Sequence, residues 1–409
     1  MPLSTASAIA DAVSAATQDP WHVLPNAAVL VTTSDEAVAF SGVGGYERVP
    51  STSEELADAP RLSEDSRFTL WSCTKLVTAI AALQLVEQGK IGLEDDASRW
   101  VPELEELRVF KGFKENGELE LEKPERRVTV EMLLLHTAGF DYDHPDSARI
   151  IEKLGITSPY DPKSTRISVT RMPAFYPAGE NWHYGPSNDW LALVIEAASG
   201  VDLDTYFKQN IFEPLGIHDT TFKPDPLRIN MAYAPKEPDG PYTFDEGRRF
   251  SQAQYWGGTG LSGSPRSYLK LLRALLLGGA VEKGSSTRIL RQETVELMFH
   301  NHLETAQHLQ DLHAMTKTGN DPFTHRGKSD ALPLGHGYGG SLSGEGLPSG
   351  RGRGALTWSG YANTYWVVDR EKDVAFVVWT NIIPHSAPRI FDLWERVEPL
   401  IYEGLDKKK

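Results

Sequence analysis

Ser72 and Lys75 are the first side chains in this chain whose types and spacing could do covalent chemistry. They stand three residues apart in Leu70-Trp71-Ser72-Cys73-Thr74-Lys75-Leu76-Val77, before a run of apolar residues that stops near Gly89. Residues at i and i+3 share one helical face, so a hydroxyl and an amine project together from it. A serine hydroxyl is a weak nucleophile until a base takes its proton. A lysine can take that proton only where desolvation or a neighbouring cation favours its neutral form, and the apolar flanks of this helix could supply the desolvation. The same spacing recurs at Ser267 and Lys270, after Pro265 and among Arg266 and Arg273. There it reads as a solvated helix face, and it serves as an internal control.

A serine–lysine pair needs a third group to relay protons and donors to hold an oxyanion. Tyr184, before an apolar helix, suits the first role. The backbone N–H of Ser72 and one from a strand Trp358-Ser359-Gly360-Tyr361 suit the second, because Gly360 lets a substrate approach the main chain closely.

In chain order these motifs run Ser-x-x-Lys, His136-Thr137-Ala138-Gly139, then Pro177-Ala178-Gly179-Glu180-Asn181-Trp182-His183-Tyr184. Gly257-Gly258-Thr259-Gly260-Leu261 and Leu356-Thr357-Trp358-Ser359-Gly360 follow. The series resembles the class C β-lactamase and penicillin-binding serine hydrolase superfamily over about residues 27–405. Within it, the chain is most similar to the fungal lovastatin-type acyltransferases and their family VIII-like esterase relatives. Carrying that similarity are Ser72-Cys73-Thr74-Lys75-Leu76, Trp182-His183-Tyr184-Gly185 with Asp189-Trp190, and the Trp358 strand with Asn363 and Trp366.

The resemblance implies an α/β (α+β) sandwich, an antiparallel sheet flanked by helices, with an inserted mostly helical domain and a site in the cleft between them. It also implies Ser72 as the acylated nucleophile, Lys75 and Tyr184 as general base and acid, and the Tyr361 N–H as second oxyanion donor. Trp182, Trp256, Gly258, Trp358, Ser359, Gly360, Tyr361 and Asn363 are the expected substrate contacts. Phe140, Tyr142, Tyr176 and Tyr365 are further candidates for the cleft lining.

Two departures point to substrate class. Tyr184-Gly185-Pro186 lacks the asparagine that β-lactam enzymes carry two residues after their tyrosine. Trp358 stands where they carry a cation for a substrate carboxylate, and an indole offers apolar area and one N–H instead. The expectation is therefore an esterase or acyltransferase working through an acyl-Ser72 intermediate. Its partners would be a small apolar or aromatic ester or thioester and an acceptor alcohol, in secondary metabolism. An acyl-carrier protein donor enters by resemblance alone, and no metal or organic cofactor is expected. A β-lactamase or D-amino-acid amidase or peptidase is the alternative, and a non-catalytic binding protein of the same fold a third.

The elements that must position these groups read as follows. Residues 4–18 form an Ala-rich helix capped by Ser4 or Thr5, residues 27–32 and 36–42 form strands, and residues 68–70 form a strand leading into the Ser72 helix. An acidic surface excursion spans about 95–124, helices cover 128–135, 190–198 (capped by Ser187 or Asn188) and 203–211, and polar loops fill 279–330. A glycine-rich region at 335–354 bounds strands at 356–368 and 374–380, and a helix at 389–402 closes the chain. Strands at both ends and helices between them suggest one domain from residues 1–95 and 256–409, with 96–255 inserted.

Composition narrows the partners. A net charge of −15 disfavours nucleic acid, and Lys407-Lys408-Lys409 reads as a solvated tail. No window approaches a membrane span, and Met1 to Pro20 lacks the pattern of a signal peptide, so a soluble cytoplasmic protein is expected. The single cysteine, Cys73, precludes an internal disulfide and reads as packing. Gly258-Gly260-Gly263 and Gly335-Gly337-Gly340 follow no clear strand of a βαβ unit, which disfavours a dinucleotide. His300, His302, His308 and His313 lack metal-ligand spacing. No Gly-x-Ser-x-Gly elbow occurs.

Overall fold

The computed structural model describes residues 1–159, 161, 163–223, 228–235, 237, 240–245, 254–316, 332–345 and 347–406. Strands from both ends of the chain build its main sheet. These are β1 (Asn26–Thr32), β2 (Phe40–Gly45), β3 (Gly335–Gly337), β4 (Gly340–Leu342), β5 (Leu356–Gly360), β6 (Thr364–Asp369) and β7 (Val374–Trp379), in the order β2-β1-β7-β6-β5-β4-β3. Every pairing is antiparallel. Strands β1, β6 and β7 are buried along their whole length. Their runs of β-branched and aromatic residues suit a sheet covered on both faces.

Helices α1 (Leu3–Ala16) and α6 (Pro388–Asp406) pack on one face, around Phe376, Tyr365 and Trp394. The other face carries α5 (Pro265–Leu276) and the core around α2 (Thr74–Glu87). Helix α2 is apolar on all sides, and Leu76, Val77, Ile80, Leu83 and Leu85 are each at most 1% exposed. Burying each such side chain is worth roughly 1.5–3 kcal/mol. Helices α3 (Val130–Leu135) and α4 (Ser187–Ser199) complete this side, and α4 packs directly on α2.

Several local expectations need correction. Helix α1 starts at Leu3 behind Pro2 without a side-chain cap. Likewise α4 starts at Ser187 behind Pro186, so Ser187 and Asn188 lie inside it. Strand β2 begins at Phe40, because Thr33 to Glu36 closes a turn (Thr33 N–H to Glu36 O, 3.0 Å) before the chain rejoins β1. The acidic excursion contains a hairpin, Val109–Phe113 with Leu119–Glu122, around Asn116-Gly117, a dipeptide that commonly makes such turns. The polar stretch 279–330 holds helices Gln292–Met298 and Ala306–Thr316, while 317–330 lies outside the described residues, as does the Lys407–Lys409 tail. The supposed strand 356–368 is two strands, β5 and β6, broken by a turn at residues 361–363 with Asn363 at φ +62°.

Candidate active site

Ser72 sits on a tight turn, Trp71–Cys73, between the short strand Phe68–Thr69 and α2. Trp71 has φ +48°, a conformation that costs a bulky residue on the order of 1–3 kcal/mol. Distant segments clamp the turn. The Leu70 N–H donates to Leu261 O (2.9 Å) and the Tyr268 hydroxyl to Cys73 O (3.0 Å). The Cys73 thiol donates to Thr364 O (3.2 Å). Burial pushes that thiol up to about 12, so Cys73 is a packed, protonated group.

One turn into α2, Lys75 is 3% exposed. Its Nζ lies 3.1 Å from Ser72 Oγ and 2.8 Å from Gly258 O. The control pair behaves otherwise: Lys270 Nζ donates to Gly216 O (2.7 Å), and Ser267 N–H takes the Ser264 cap. Tyr184 turns its ring to Lys75, with Nζ 4.8 Å from the centroid. The Tyr184 hydroxyl accepts the Trp358 Nε1–H at 3.4 Å. Ser72, Lys75, Tyr184, Gly258 and Trp358 therefore converge.

Gly360 ends β5 against the Ser72 turn. A Cβ there would stand 2.3 Å from Leu70 O, so only glycine lets the strand come this close. Tyr361 follows on the β5–β6 turn, 46% exposed, its ring edge-on to Trp71 at 5.5 Å. The remaining expected contacts do not face the pair. Ser359 pairs with Tyr365 on the other face of the sheet, where its hydroxyl meets His385 Nε2 at 3.0 Å. Burial lowers His385 to about 4, so it is neutral.

Asn363 is saturated within its turn. It donates to Ile382 O (2.8 Å) and Pro384 O (2.9 Å) and accepts from the Tyr365 hydroxyl (2.7 Å) and Ala387 N–H (3.2 Å). Trp182 is 1% exposed between His136 and His336, and Trp256 is 3% exposed with its indole N–H on Ser164 Oγ (2.8 Å). Phe140 stacks on Trp190 in the core, Tyr176 stacks on His183, and Tyr365 lies among the residues beneath α6.

Three groups touch this site in ways the sequence does not assign, although Tyr142 is among the expected cleft lining. Asp189, on α4, is buried and accepts the Gly258 N–H at 2.7 Å, fixing the peptide whose carbonyl holds Lys75. Burial raises its carboxyl to about 6, against the pull of the Lys75 charge and the Gly258 N–H. His136 caps α3 in the left-handed region and packs against Tyr184 at 5.1 Å; burial, His336 and Lys75 hold it well below its ordinary range. Tyr142 places its hydroxyl 3.5 Å from Lys75 Nζ. Its N–H donates to Tyr184 O (3.0 Å), and the two segments run this close because Gly185 has no Cβ to strike Phe140 O. Asp189 stands in the Trp182-to-Trp190 motif and Tyr142 among the aromatics, but only the tertiary fold aims them at Lys75.

The histidines of 300–313 spend their rings on backbone: His300 at Glu296 O, His302 at Leu297 O, His308 at Gly179 O and His313 at Pro333 O. Among the described residues no three potential metal ligands gather.

An antiparallel sheet between helical layers, with a serine–lysine pair at a clamped turn beside it, defines a serine-reactive enzyme fold. The β-lactamase family matches residues 13–397, and the chain belongs to that family. It is 31% identical to monacolin J acid methylbutanoyltransferase of Aspergillus terreus, over 85% of this chain and 85% of that protein. To lovastatin esterase of Penicillium rubens it is 30% identical, over 83% of this chain and 85% of that protein. Among solved structures, a mutant simvastatin synthase from Aspergillus terreus superposes with a TM-score of 0.84 at 28% identity, covering 98% of this chain and 95% of that one.

Proposed function

We propose that this chain is a serine-dependent ester hydrolase and acyltransferase in which Ser72 carries the acyl group. The observation that carries the reading is the buried Lys75 amine 3.1 Å from Ser72 Oγ, with Tyr184 against it. The Ser72 Oγ–carbonyl carbon bond forms as its proton passes to Lys75. The bond to the departing alkoxide or thiolate then breaks, and the proton returns through Tyr184 to that leaving group. The N–H groups of Ser72 and Tyr361 hold the oxyanion between these steps. Water or an acceptor alcohol reverses the sequence and frees the enzyme.

Trp358 supports an uncharged substrate. Its indole is turned into the site on Tyr184, so the strand offers no cation there for a carboxylate. The half-buried Trp71 and the exposed Tyr361 offer an aromatic wall beside Ser72 for an apolar or aromatic acyl group. The relatives named above extend the reading to a small-molecule acyl acceptor in fungal secondary metabolism. An acyl-carrier protein as donor and a cytoplasmic location belong to the same proposal. So does a division into residues 1–95 with 256–409 as one domain and 96–255 as an inserted lobe. No helix among the described residues is long and apolar enough to cross a membrane.

Product analysis with short and aromatic acyl esters, with and without an added alcohol, separates the outcomes. Free acid unaffected by alcohol makes it an esterase, and a new ester makes it an acyltransferase. Turnover of a chromogenic cephalosporin but of no ester would replace this reading with the amidase one.

A further inference from the structure

We propose that the Tyr142 hydroxyl is a positioning group that aims the Lys75 amine at Ser72. The inference rests on Lys75 being the base of the proposed reaction. A neutral amine has two N–H donors and one lone pair. To take the serine proton the lone pair must face Ser72 Oγ, so both N–H bonds need acceptors elsewhere. Gly258 O at 2.8 Å takes one. The Tyr142 oxygen, at 3.5 Å, is the remaining acceptor in reach among the described residues.

After proton transfer the ammonium has three donors, and Ser72 Oγ, Gly258 O and the Tyr142 oxygen are three acceptors. One set of oxygens therefore serves the amine before and after the transfer without rearrangement. The Tyr142 contact is the longest of the three, as catalytic hydrogen bonds commonly are before substrate draws the site together. Tyr184 does not orient the amine in the geometry seen, since it meets Lys75 through its ring and its hydroxyl oxygen accepts the Trp358 indole N–H. The two tyrosines thus hold separate roles, Tyr142 orienting the base and Tyr184 serving the leaving group. Their segments are tied by the Tyr142 N–H to Tyr184 O bond and by an edge-to-face ring contact at 5.1 Å.

The test uses the full-length enzyme, p-nitrophenyl butyrate, and three proteins: wild type, Tyr142→Phe and Tyr142→Gln. For Tyr142→Phe the acylation rate constant and kcat fall about ten- to a hundredfold while KM stays within about threefold. Tyr142→Gln, which restores an acceptor oxygen, recovers part of that loss. A fall smaller than about tenfold, a loss carried mainly in KM, or a glutamine variant no better than phenylalanine overturns the assignment. Melting of both variants near the wild-type temperature shows that the effect is local. If wild type itself takes no acyl group, the proposed function fails; if wild type acylates and Tyr142→Phe matches it, only the Tyr142 inference fails.

Discussion

Two buried cations on opposite faces of the main sheet are held in opposite ways. Arg351 and Glu398, each with a side chain 0% exposed, form a forked ion pair at 2.6 and 2.7 Å under α6. Ser343 Oγ accepts from Arg351 (3.3 Å) and the Trp394 indole N–H donates to Glu398 (2.8 Å). Beside it the Gly352 N–H (2.7 Å) and the Tyr402 hydroxyl (3.0 Å) meet Asp369, tying the glycine-rich loop to the last helix. Lys75, equally hidden, makes no ion pair among the described residues; its donors meet a serine, a tyrosine and a carbonyl. The nearby Asp189 spends its carboxylate on the Gly258 N–H instead. An ammonium bonded to a carboxylate forfeits an ion pair when it releases its proton, whereas one held by neutral oxygens keeps its hydrogen bonds. The first arrangement ties two elements together; the second suits the proton transfer proposed for Lys75.

Substitutions at the two sites should therefore fail differently. Lys75→Met removes the proposed base and lowers kcat about a thousandfold or more, while the melting temperature holds or rises; steady-state kinetics beside a thermal melt checks both. Arg351→Met leaves Glu398 buried and uncompensated. It should cost about 3–5 kcal/mol in urea unfolding, with activity per folded molecule retained, and the double change with Glu398→Met should recover most of the loss. If Lys75→Met instead unfolds the chain, or Arg351→Met abolishes acylation in folded protein, the contrast collapses.

Asp189 sharpens the comparison through pH. Its folded value of about 6 lies above the roughly 3.9 of an unfolded aspartate. The unfolded chain therefore releases this proton first, and stability falls as pH rises through the window from about 4 to 6. The loss from this group amounts to about 3 kcal/mol. Asp189→Asn should flatten that part of the stability–pH curve measured by urea unfolding. Cys73→Ala should matter least, about 1 kcal/mol with activity kept. Iodoacetamide should label Cys73 in urea but not in the native state.

What can be read from the sequence follows the same line between local and tertiary control. The Ser72–Lys75 spacing and the strand-to-helix entry are properties of a few consecutive residues, so they are visible there. The control pair at Ser267 and Lys270 has the same spacing and a different fate, because its lysine finds a loop carbonyl and its serine stays at a helix start. Strand alternation sends Trp358 to one face and Ser359 to the other, so reading the motif as a block misplaces Ser359. Asn363 looks like a substrate contact only if its turn is taken for strand. Tyr142 and Asp189 reach Lys75 only through Gly185 and the α2–α4 packing, contacts between segments far apart in the chain. The sheet made from both ends of the chain is legible, since apolar β-branched runs mark buried strands wherever they fall.

Intact-mass spectrometry after mixing the protein with a panel of p-nitrophenyl esters and thioesters, beside Ser72→Ala, decides whether Ser72 carries the acyl group. The expected result is a gain equal to the acyl group, located on the peptide bearing Ser72 and absent from Ser72→Ala. Failure of wild type to gain mass or turn over any ester, or a gain that persists in Ser72→Ala, would contradict it.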